Sequence, residues 1–96
     1  MENKYYIVRG DRSGVFFGEI ADKNGREVTL KNARRLWRWE GATECCQIAA
    51  EGVKRPRTCK FTMFVDEIIV LDAIEIHPCT EVAVTSIKEV PKWKIH

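Results

Sequence analysis

The sequence predicts an α+β, mainly β domain, built as a small antiparallel sheet or partly open barrel of about five strands with one or two short helices. Three observations predict it. Asn24-Gly25 lies between two apolar runs, the signature of a tight hairpin. Tyr5-Tyr6-Ile7-Val8 and the run from Ile68 to Ile76 are rich in branched and aromatic residues, as strands are. The segment from Thr80 to Val90 carries apolar residues at helical spacing and is closed by Pro91, which cannot continue a helix.

In order along the chain, Tyr5 to Val8 is a first strand and Gly10 to Gly14 a polar turn. Val15 to Ala21 is a second strand. Asn24-Gly25 suits positive φ at both central positions of a turn, so Arg26 to Leu30 returns antiparallel, with Val28 and Leu30 inward and Glu27 and Thr29 toward water. Asn32-Ala33 marks a bend. Beyond it, Arg34 to Trp39 reads as extended, with Arg35, Trp37 and Trp39 on one face and Arg34, Leu36 and Arg38 on the other. Thr43 is placed to cap a short helix from Glu44 to Glu51 that ends at Gly52 and buries Cys45, Ile48 and Ala49. Val53 to Thr58 is a basic loop, and Phe61 to Val65 a short strand. Ile68 to Ile76 is apolar on both faces at its start, which predicts a central strand. Thr80 caps the second helix, with Ala83, Ile87 and Val90 on one side. The tail from Lys92 to His96 alternates basic and apolar residues and suits an edge strand or a docking segment.

The 96 residues make one domain, 1–96, with no repeat, linker or low-complexity stretch. A content of 45% hydrophobic and 31% charged residues is that of a folded, soluble chain. No apolar run is long enough to cross a bilayer, and the first residues lack a secretory pattern, so a cytoplasmic location without membrane contact is expected. The four cysteines lack C-x-x-C spacing and read as reduced, buried thiols; His77 and Cys79 would share a strand face, but no metal set is expected. The net charge of +2 conceals a regional excess: between Lys31 and Lys60, eight Lys or Arg stand against three Glu, a local +5. Such concentration points to a local anion site rather than to general adhesion along nucleic acid.

Candidate function concentrates in Ala33-Arg34-Arg35-Leu36-Trp37-Arg38-Trp39. Guanidinium groups clamp phosphate or carboxylate in two-pronged fashion, and indole faces stack on flat rings. The expected ligand-binding residues are Arg34, Arg35, Trp37 and Trp39, with Lys54, Arg55 and Arg57 as a basic rim. The competing reading places both indoles in the core. No catalytic residue is expected: two histidines, one of them the final residue, sit in no catalytic pattern, and there is no phosphate-binding glycine loop or H-E-x-x-H sequence. No cofactor is expected either.

The stretch Asn32-Ala33-Arg34-Arg35-Leu36-Trp37-Arg38-Trp39, followed by Gly41-Ala42, Gln47-Ile48-Ala49 and Glu51-Gly52, resembles a family of small proteins encoded by tailed bacteriophages and prophages. Cys59-Lys60-Phe61, Ala73-Ile74-Glu75-Ile76 and Ser86-Ile87-Lys88-Glu89-Val90-Pro91 continue the resemblance over nearly the whole chain. The resemblance implies a phage origin and a single-domain layout, and brings no function and no catalytic residues. The chain departs from the pattern at Arg38, where an aromatic residue is expected, and at Cys45-Cys46, where Ser and an aliphatic residue are expected. Those departures weaken a ligand role for Arg38 and a metal role for the cysteine pair.

Together these readings favour a non-enzymatic binding protein that holds or sequesters a nucleotide-like anionic small molecule, in antagonism of host defence. A module that inhibits a host protein is the first alternative and a nucleic-acid-binding β module the second. Self-association is also expected, because a sheet edge near several tryptophans would enlarge a small core.

Overall fold

The hairpin predicted at Asn24-Gly25 organises the sheet. In the computed structural model, which describes residues 4–39, 44–53 and 59–92, β2 (Val15–Asn24) turns back into β3 (Glu27–Arg38). The two central turn residues are Gly25 and Arg26, with Asn24 paired to Glu27. Positive φ falls on Gly25 alone, so the tight turn lies one residue later than the dipeptide suggested. β1 (Tyr5–Gly10) adds to the far side of β2, and β6 (Ala73–Pro78) adds to β1. On its other edge β3 serves two partners. Its first half pairs with β5 (Val65–Val70), and its last residues pair with β4 (Lys60–Phe61). The result is a six-stranded, antiparallel open sheet with the path β4-β3-β2-β1-β6. Two short helices, α1 (Cys45–Glu51) and α2 (Glu81–Glu89), make the domain mainly β with an α+β layout.

Two predicted strands need correction. The run from Ile68 to Ile76 is not one central strand; it breaks at Leu71-Asp72 into β5 and β6, each hydrogen-bonded to a neighbour on one side only. Asp72 supplies the reason. Its carboxylate accepts hydrogen bonds from the backbone N–H groups of Arg12 (2.9 Å) and Ser13 (3.1 Å) and from the Ser13 hydroxyl. Its own carbonyl accepts from the Asp11 N–H at 2.8 Å. The corner is thereby fastened to the Gly10–Gly14 turn, so Asp72 is a structural carboxylate rather than a solvated edge charge. The predicted strand from Phe61 to Val65 likewise divides: β4 ends at Phe61, and Thr62 to Phe64 bend away before β5 begins.

The sheet buries both faces. On one side Ile7, Val15, Phe17, Leu36 and Phe61 pack against Ile48 and Ala49 of α1, Ile87 of α2 and Val90 just beyond it. On the other, Val8, Phe16, Val28, Leu30 and Ala33 pack with Val70 and Ala73, where the β5–β6 corner folds over. A bulge in β3 at Asn32, which has φ of 49°, connects these patterns. It is accommodated opposite Gly18, where a Cβ would come within 2.9 Å of the Ala33 Cβ and 3.2 Å of its Cα.

The helices form close to where the sequence indicates, but α1 begins one residue later than predicted, with Glu44 rather than Thr43 at its N-cap position and no side-chain cap there. α1 buries Cys45, Ile48 and Ala49 and stops at Gly52, at φ of 78°. Gly52 also admits α2 at close range, since a Cβ there would lie 3.2 Å from the Ala83 Cα. The Thr80 hydroxyl accepts from the Ala83 N–H at 3.2 Å and donates to the Ala50 carbonyl at 2.7 Å, capping α2 while tying it to α1. Thr43 and tail residues 93–96 lie outside the described residues; Lys92 makes a single parallel bridge to Phe61.

The hydrogen bonds to Asp72, first that of the Ser13 hydroxyl and then that of the Arg12 N–H, hold its carboxyl below the ordinary value of 3.8. A folded-state value below the unfolded one stabilises the protein fully above the unfolded value, and this contribution is lost as pH falls through the folded value. Asp72→Ala is therefore expected to lower the melting temperature at neutral pH. The gap to the parent protein should close as the solution is acidified below that range, which thermal melts across a pH series would measure.

Candidate functional site

The Arg/Trp segment occupies the last third of β3, where alternation sends neighbouring side chains to opposite faces. Arg34 points to the helix side and is 2% exposed. Its Nε donates to the Thr62 carbonyl at 2.8 Å, and Nη1 donates to the carbonyls of Ile87 (3.0 Å) and Val90 (2.9 Å). Phe61 and Phe64 flank the guanidinium at 5.2 and 4.6 Å. Burial lowers its pKa from the ordinary arginine value, which is high enough for the guanidinium to stay charged. Arg34 is therefore not a ligand-binding arginine. Its donors satisfy backbone carbonyls at the end of α2 and at the β4–β5 bend.

Arg35 takes the other face. Its guanidinium carbon lies 4.0 Å from the centroid of the Trp37 ring and 5.6 Å from that of Phe16. Gly14 gives it room: a Cβ at Gly14 would meet the Arg35 Nη2 at 2.9 Å. The strand backbone beneath is fixed by Thr62, whose Oγ1 accepts from the Arg35 N–H and whose N–H donates to the Arg35 carbonyl. Among the described residues, no carboxylate forms an ion pair with Arg35. Trp37 is 53% exposed, so one side of the indole carries the guanidinium while much of the ring meets solvent. The indole is thus not enclosed in the core.

Trp39 does not join this face. The ladder between β3 and β4 slips between Leu36 and Arg38, and this second bulge turns Trp39 back to the helix side, against the core that contains Leu36. There it borders a hollow of about 280 Å³ shared with Arg9, Glu44 and Glu75. Arg9 Nη1 is paired with Glu75 at 3.2 Å, so the surroundings of Trp39 are mixed in charge and do not favour an anion. Grouping Trp39 with Arg35 and Trp37 on one face is thereby corrected. Lys54, Arg55 and Arg57, the expected basic rim, lie outside the described residues.

Sequence reasoning missed the Glu75 cluster. Glu75 accepts from Arg9 and contacts His77 Nε2 at 3.0 Å. The His77 contact first, and Arg9 after it, hold the Glu75 carboxyl below its usual range. Arg9 and Glu75 are direct cross-strand partners 66 residues apart, and only the pairing of β1 with β6 reveals them. The one local signal was alternation, which places Glu75 and His77 on one face.

Cys45, Cys46 and Cys79 are not activated as nucleophiles. Burial raises the pKa of Cys45 and pushes that of Cys79 up to about 12, while the hydrogen bond to Glu44 raises that of Cys46. Among the described residues, no three His, Cys, Asp or Glu side chains gather as a metal set, and no helix is long and apolar enough to cross a membrane.

Exchanging each arginine separates their roles. Arg34→Ala is expected to cost about 3 kcal/mol or more, because buried carbonyls lose their donors. Arg35→Ala should cost about 1 kcal/mol, the range of a half-buried stacked cation with no buried partner left unpaired. Urea denaturation of both variants measures the difference.

A family model described as a domain of unknown function, DUF6948, matches residues 3–87. No curated protein and no solved structure matches the chain at a significant level.

Proposed function

We propose that this protein, which belongs to the DUF6948 family, is a non-enzymatic binding protein that holds a flat, anionic, nucleotide-like ligand against Arg35 and Trp37. One observation carries the reading: a guanidinium without a carboxylate partner among the described residues is stacked on an indole that is half open to solvent. Stacking leaves the in-plane N–H edges of Arg35 available for a phosphate, while the exposed part of Trp37 offers a surface for a base. A stacked base contributes about 1–3 kcal/mol and a hydrogen bond to a charged group about 1.5–3 kcal/mol, which together support weak binding by one protomer. Subunit association would add to it.

The resemblance to phage-encoded proteins extends this reading. In a host cytoplasm, such a protein would sequester a nucleotide signal of host defence. The alternative of an inhibitor of a host protein draws support from a different region: Ile69 and Leu71, at 50% and 69% exposure, present apolar side chains at β5 and its corner.

Titration with a panel of mono- and cyclic nucleotides, followed by tryptophan fluorescence and thermal shift, tests the first reading. A ligand should quench emission and raise the melting temperature. Arg35→Ala and Trp37→Ala should abolish both effects while leaving the melting temperature of the free protein nearly unchanged. If no nucleotide has an effect at millimolar concentration, the reading fails. A single-stranded oligonucleotide that binds with a steep salt dependence would favour the nucleic-acid alternative instead.

A further inference from the structure

The helix-bearing side of the molecule has a recess that the Arg35–Trp37 face does not reach. It opens between the start of β1, the end of β6 and one flank of α2, with a volume of about 670 Å³. That lies within the size range of small-ligand sites. Its α2 wall is a single stripe, Glu81, Val84, Thr85 and Lys88, at the spacing that aligns side chains along one helix face. Tyr5, Pro78 and Cys79 line the strand side, and Lys4 flanks it.

The arrangement is ordered from the core outward. The Tyr5 ring stacks on buried Phe17 at 4.8 Å with planes 11° apart, which fixes a flat aromatic wall. Lys88 Nζ lies 4.3 Å from the centroid of that ring. Among the described residues, neither Lys88 nor Lys4 forms an ion pair with a carboxylate. Glu81 stands seven residues before Lys88, about 10 Å away along the helix axis. The recess is therefore polarised along α2, with the Lys88 ammonium over Tyr5 and the Glu81 carboxylate about two turns earlier on the same helix face. Thr85 contributes a hydroxyl, Val84 and Pro78 apolar surface, and Cys79 a thiol that burial keeps protonated.

We infer that this recess is a second ligand site, which takes a small organic anion with an aromatic body, its anionic head at Lys88 and its ring against Val84, Pro78 and the edge of Tyr5. The polarity sets the orientation. The head group stays away from Glu81, and a body with no further negative charge extends toward it. An ammonium over an aromatic face keeps its outward N–H donors free, so the contact with Tyr5 positions Lys88 without neutralising it.

Phenyl phosphate and inorganic phosphate are the probes, and backbone amide chemical shifts of the full chain are the readout. Phenyl phosphate should shift the amides of Tyr5, Cys79, Thr85 and Lys88 saturably at millimolar concentration. Inorganic phosphate, which lacks the ring, should bind at least about tenfold more weakly. Lys88→Gln should weaken phenyl phosphate by about tenfold, the loss expected for one charge-assisted contact, with the dispersion of the spectrum confirming the fold. Trp37→Ala should leave this binding unchanged, which makes failure here distinguishable from failure of the Arg35–Trp37 reading. The inference is overturned if these amides stay still, if both probes act equally, or if Lys88→Gln binds as the parent does.

Discussion

The buried guanidinium of Arg34 is the constraint on which the rest of the structure depends. An ionised group removed from water must recover its hydration from fixed partners. Arg34 does so with three carbonyls drawn from two separate stretches of chain, Thr62 at the β4–β5 bend and Ile87 and Val90 at the end of α2. The last carbonyls of a helix have no partner within it and carry partial negative charge, so a cation is favoured there. The bend follows from the same contacts. For Phe61 and Phe64 to flank the guanidinium, the chain between them must leave the ladder, which is why β4 and β5 are separate strands along one edge of β3. Among the described residues, no buried side-chain nitrogen or oxygen lacks a hydrogen-bond partner, so the charge is accommodated without leaving a polar group unpaired.

That arrangement in turn depends on a phase change in β3. Val28 and Leu30 point into the core on the β5–β6 side, and strict alternation would send Arg34 after them. The bulge at Asn32 inserts one residue and reverses the phase, so that Ala33 enters that core and Arg34 turns to the helices. Arg35 is then directed to the face of Phe16. The second bulge, between Leu36 and Arg38, reverses the phase again and removes Trp39 from the side of Trp37. A segment that reads as one cluster in sequence is thus distributed over three environments by two irregularities.

Most of the secondary structure was legible from short-range signals. The hairpin, the core positions Val28 and Leu30, the buried triplet of α1, and the Thr80 cap followed by Pro91 all rest on residues within a few positions of one another. What was not legible depended on distant partners. Nothing near Asp72 indicates that its carboxylate closes a turn 59 residues earlier, and without that fact the apolar run around it reads as an unbroken central strand. Nothing near Arg34 indicates that three carbonyls await it. At the candidate site, the residue types and the alternation that separates Arg34 from Arg35 were visible, whereas the assignment of inside and outside was not, because the bulges set it.

The same reasoning narrows where an anion can be held. The basic excess between positions 31 and 60 suggested a single electropositive surface, but the fold uses part of it internally. Lys31 is neutralised by Glu67 across the β3–β5 ladder at 2.6 Å, and Arg34 is enclosed. Of the described arginines in that interval, Arg38 is exposed and Arg35 half-buried. Arg35 is the one backed by rings, with Phe16 and Trp37 beside it and Gly14 leaving space for the head group. Stacking restricts the rotamers of a long side chain, so less entropy is lost when its donors engage a ligand. Burial of Arg34 and the half-buried setting of Arg35 are thus two outcomes of one alternation: the residue that secures the helices leaves its neighbour on the opposite face, where the proposed ligand would meet it.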